Sequence, residues 1–125
     1  MKYSNTIKVL ICKRNPIEMD LVKKYSLVIN KDEVEINNFK GIKKMEKNIL
    51  DVALSNLYSY IIDMEHTRYQ TQLYEYEINN PAIKFFICFQ FQNNTYIAIK
   101  GIEPLTQIHY KEILEELDKL IQLID

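Results

Sequence analysis

Apolar and polar positions alternate at the start of the chain, where Ile7, Val9 and Ile11 are set against Thr6 and Lys8. Leu10 and Cys12 make the second side of this run apolar as well, which predicts a strand buried on both faces, central in its sheet. Asn15-Pro16 then offers a cap and a first helical position, and Ile17, Leu21, Val22 and Tyr25 recur at near-helical spacing. The pattern predicts a short helix over 16–25. Leu27-Val28-Ile29 and the pair Val34/Ile36 flank Asn30-Lys31-Asp32, a turn signal, and predict a hairpin whose second strand is charged on one side.

The strongest periodic signal begins at Ile42. Met45, Ile49, Val52, Asn56, Tyr60 and Met64 follow at three and four residues, with Ala53, Leu57 and Ile61 widening the stripe. It predicts an amphipathic helix over 42–65. Tyr-rich alternation over 69–78 predicts a strand that ends at Asn79-Asn80-Pro81. Ile83–Phe91 and Thr95–Lys100, joined at Asn93-Asn94 by a two-residue turn, predict a second hairpin. After Gly101 and Pro104, a broad stripe from Tyr110 through Leu117 to Ile124 predicts a helix over 106–124. The natural packing solution is an α+β two-layer sandwich, one domain over 1–125. An antiparallel or mixed sheet of about five to six strands carries both main helices, 42–65 and 106–124, on one face.

Composition changes this picture little: 125 residues, 47% hydrophobic and 26% charged, are those of a folded globule. Net charge, −1 overall, conceals an uneven distribution. Residues 1–50 hold eleven basic against six acidic side chains, and residues 51–125 hold five against eleven. The near-neutral total argues against nucleic acid as the main partner. With no apolar run of membrane-spanning length and no signal-peptide pattern, the expectation is a cytoplasmic protein without a membrane partner.

Candidate chemistry is sparse. Two glycines cannot build a phosphate-cradling loop, two cysteines do not make a sulfur-rich zinc site, and no serine stands between glycines. No cofactor, metal site or catalytic residue is therefore assigned, and a non-enzymatic role is favoured. The enzymatic alternative is a small hydrolytic or nucleolytic site using His66 or His109 with a neighbouring carboxylate such as Asp63. The nucleic-acid alternative uses Lys40, Lys43, Lys44 and Lys47, which share one side of the expected helix.

Nine tyrosines are many for this length, and those at 58–76 interleave with acids. Tyr58, Asp63, Glu65, Tyr69, Tyr74, Glu75, Tyr76 and Glu77 form an aromatic, negative stretch of the kind that binds a basic protein. An inhibitor or immunity protein acting on a nuclease toxin is an example of such a domain. If the strand at 69–78 is an edge, it also offers a route to a homodimer.

Overall fold

The computed structural model describes residues 5–63, 67–69, 79–102 and 109–125. In chain order these form β1 (Thr6–Arg14), β2 (Val22–Ile29), β3 (Glu33–Asn38), β4 (Gly41–Glu46), α1 (Lys47–Asp63), β5 (Thr67–Tyr69), β6 (Phe85–Phe91), β7 (Tyr96–Gly101) and α2 (Tyr110–Ile124). All strand pairs are antiparallel, in the order β4-β3-β2-β1-β6-β7-β5. The expected α+β sandwich is present, with both helices on one face, and β1 is indeed the central strand.

Alternation decides which side chains meet the helices. Val9 and Ile11 of β1, Tyr25 and Leu27 of β2, Val34 and Ile36 of β3, and Phe85, Ile87 and Phe89 of β6 share one core with Leu50, Leu54 and Leu57 of α1 and Ile113, Leu117 and Leu120 of α2. On the opposite face Leu10, Cys12, Phe86, Cys88, Tyr96 and Ala98 form a second buried group. The apolar two-sidedness of β1 and β6 thus reflects burial on both faces.

The helices lie across the strands rather than along them. Lys47 N–H of α1 donates to the Asp32 carbonyl at 2.9 Å beside the β2–β3 turn, and Tyr58 packs on Phe89 and Phe91 of β6. Helix α2 returns the other way: Tyr110 packs on Phe85 of β6, Asp118 pairs with Lys13 of β1, and Asp125 accepts from Tyr25 of β2. Asn56 of α1 donates to Glu116 of α2, and the Tyr60 ring lies 5.6 Å from that of His109, so the two helices run antiparallel.

Three expectations need correction. Residues 15–21 are a loop, not the start of a helix over 16–25. Asn15 does accept from the Ile17 and Glu18 amides at 2.8 Å, as a cap would, but Asn15 N–H bonds back to the Leu21 carbonyl and Arg14 already pairs with Val22. Sheet pairing with β1 wins over the local helical spacing. The long helix starts at Lys47, not at residue 42, because Asn38 Oδ1 accepts from Lys40 N–H and Gly41, at φ 134°, turns the chain back as β4. That adds a strand to the expected sheet. The turn between β6 and β7 holds three residues, Gln92–Asn94, with Asn94 left-handed at φ 61° and Phe91 N–H bonded to the Thr95 carbonyl. No helix among the described residues is long and apolar enough to cross a membrane.

Candidate interaction surface

The aromatic, acidic stretch divides. Tyr58 belongs to the core: it is 7% exposed, with its ring edge-on to Phe89 at 5.4 Å. It sits on the buried side of α1, two turns from Leu50 and beside Leu57, so it offers no partner surface. Glu65, Tyr74, Glu75, Tyr76 and Glu77 lie outside the described residues, and for Asp63 and Tyr69 the description extends to the backbone. Asp63 closes α1, and Tyr69 closes β5, the last strand beside β7.

Of the two histidines, His66 lies outside the described residues. His109 stands at the N-cap of α2 with φ 61°, exposed, its Nδ1 4.0 Å from Glu112 Oε1 and its ring against Tyr60. Among the described residues no group of His, Cys, Asp and Glu is placed to hold a metal ion. Both cysteines are buried, and burial, with the neighbouring Cys12 thiol adding to it, pushes the Cys88 thiol up to about 12. Cys88 is therefore a core thiol and a poor nucleophile.

The lysine cluster is not a helix face. Lys43 and Lys44 stand on successive positions of β4 and point to opposite sides of the sheet. Lys43 Nζ donates to the Asp125 carbonyl at 3.2 Å, while Lys40 lies over the Phe39 ring at 5.5 Å. Lys47 is the first residue of α1. The four charges therefore gather along one edge of the sheet instead of forming a stripe along a helix.

Beside them is a surface that the sequence pattern does not reveal. The outer face of β2–β4 is open: Ile42 is 65% exposed and Phe39, in the β3–β4 turn, 59%, with Val28 also exposed. Period-two alternation puts Met45 toward the core, so Ile42, three residues away, must face outward. A groove of about 570 Å³ adjoins this face, lined by Leu10, Cys12, Val22, Lys24, Asn37 and Phe39 among others. Among the described residues, Lys23 and Lys24 are its charged lining. The one signal for it in the sequence is a phenylalanine within the polar turn Asn37–Lys40.

The helix layer carries charge at its other end. The Tyr60–His109 contact brings the last turns of α1, which end at Asp63, beside the first turn of α2. Glu112 and Glu115 are exposed there. No protein-family model, curated protein or solved structure matches this chain.

Proposed function

We propose that this chain is a non-enzymatic protein-binding domain that captures or inhibits a basic protein partner through an acidic, tyrosine-bearing surface. The observation that carries the reading is the meeting of α1 and α2 at Tyr60 and His109. It sets exposed Glu112, in the first turn of α2, beside the last turns of α1, which close at Asp63. Tyrosine supplies rigid contact area, and clustered carboxylates steer a positively charged partner and reject a phosphate backbone. A cytoplasmic inhibitor of a basic enzyme, such as an immunity protein paired with a nuclease toxin, is the finer form of this proposal.

The test is affinity capture from the native lysate at moderate salt, run in parallel with two charge-reversed variants. One carries Glu75→Lys with Glu77→Lys, and the other Glu112→Lys with Glu115→Lys. A stoichiometric basic protein retained by the parent and lost from both variants is the expected result. Retention of no basic protein, or retention indifferent to both reversals, would refute the reading.

A further inference from the structure

The sheet ends at β4, and among the described residues no strand pairs with its outer side. In an antiparallel edge strand, half of the backbone N–H and C=O groups face the neighbour and half face outward. Edge lysines commonly serve only to block unwanted pairing, and Lys40, Lys43, Lys44 and Lys47 fit that role by themselves. Ile42 and Phe39 do not. A strand kept from pairing gains nothing from an isoleucine 65% exposed and a phenylalanine 59% exposed on the same edge. Along 40–47 four lysines stand against Glu46, with Glu33 and Glu35 of β3 opposite Glu46 and Lys44, and the groove behind Phe39 adds Lys23 and Lys24. Lys44 stands on the outward side of β4, opposite Glu35 of β3.

We infer that β4 is a docking edge for an extended, acidic segment of another protein, which adds to the sheet as an eighth strand. Main-chain hydrogen bonds to β4 supply affinity in this mode, and alternate side chains supply selectivity. Apolar side chains of the segment cover Ile42 and Phe39, and its carboxylates meet Lys40 and Lys44. The charge on this edge is opposite to that of the surface proposed for the basic partner, so the two sites are separate and fail separately.

The probe is a fluorescein-labelled decapeptide of alternating glutamate and valine, followed by anisotropy with the full chain at two salt concentrations. Binding that weakens with salt, and weakens about tenfold in the Lys40→Glu/Lys44→Glu variant, is expected. Circular dichroism checks that this surface variant keeps its fold, and the Glu112→Lys/Glu115→Lys variant should bind the peptide like the parent. The same peptide N-methylated at alternate residues retains its charge but cannot pair along one edge, and it should not bind. Equal binding of the methylated peptide would overturn strand addition. Equal binding of a lysine–valine decapeptide, or of a duplex oligonucleotide in its place, would overturn the acidic partner. A stable dimer of the chain that the peptide does not dissociate would assign the edge to a second copy instead.

Discussion

Gly101 ends β7 with its backbone against β6, and a Cβ built there would overlap the Phe85 ring. Its φ is ordinary, so the glycine is required by space and not by backbone conformation. Phe85 is fully buried between the sheet and Tyr110 and has little freedom to withdraw. Gly101→Ala should therefore destabilise the fold by about 1–3 kcal/mol, as overpacked cores do, read as a lower midpoint in urea unfolding followed by tyrosine fluorescence. Tyr25 gives a prediction in pH. Its hydroxyl donates to Asp125 Oδ1 at 3.3 Å, and burial, then the Asp125 charge, raise its pKa from 10.0 to about 12. The neutral phenol is the form that suits the fold. Its contribution is complete below pH 10 and is lost as pH rises toward 12. Cys88, raised from 9.0 to about 12, acts with the same sign. Tyr25→Phe should cost about 1 kcal/mol or less at neutral pH. The stability gap between parent and variant should then close or reverse between pH 10 and 12. A gap constant in thermal melts across that range would refute the assignment.

Elements in this chain are held as much by what joins them as by their own periodicity. Arg14, at the end of β1, donates from Nη1 to the Met19 carbonyl at 2.7 Å and from Nε to the Ile83 carbonyl at 3.1 Å. Its Nη2 reaches the Asn80 carbonyl at 3.4 Å. One guanidinium thus fixes the β1–β2 loop and the segment entering β6, using the fork of donors that lysine lacks. Arg14→Met should cost about 1–3 kcal/mol. Hydrogen exchange should speed up at 15–21 and 79–84 before it does in the central strands. This role illustrates why the elements were unevenly legible. The strands β1, β6 and β7 and the helix α2 could be read from Val9–Cys12, Phe85–Phe91 and Tyr110–Ile124, where local period and tertiary burial agree. Residues 15–25 and 41–46 could not, because their spacing suits a helix while pairing with β1 and β3 makes the partner strand more favourable. Ile42 fits a helical stripe with Met45 and Ile49, and nothing local reports that β3 offers an edge.

At the scale of the molecule, the sheet order keeps residues 6–46 together on one side of β6, and α2 then carries acids back across it. The charge asymmetry was legible in the sequence, but its surface layout was not, because it depends on α2 crossing from Phe85 to Tyr25. Nor was the open face of β2–β4 legible, since its lysines and Ile42 read as parts of a helix. The same arrangement governs folding. β1 pairs with β6, more than seventy positions away, and Asp118 and Asp125 reach Lys13 and Tyr25 across 105 and 100 positions. Such distant pairing predicts refolding in about milliseconds to seconds, measurable by stopped-flow tyrosine fluorescence after dilution from urea. A phase complete within about a hundred microseconds would contradict it. The central position of β1 also bears on synthesis. On the ribosome β1 has a partner on one side only until β6 has emerged, and the apolar face of β1–β4 awaits α2 to complete its cover. A chain stalled before residue 85 would present that half-covered sheet to chaperones and proteases, so truncated products of this protein should be cleared rather than accumulate as a half-domain.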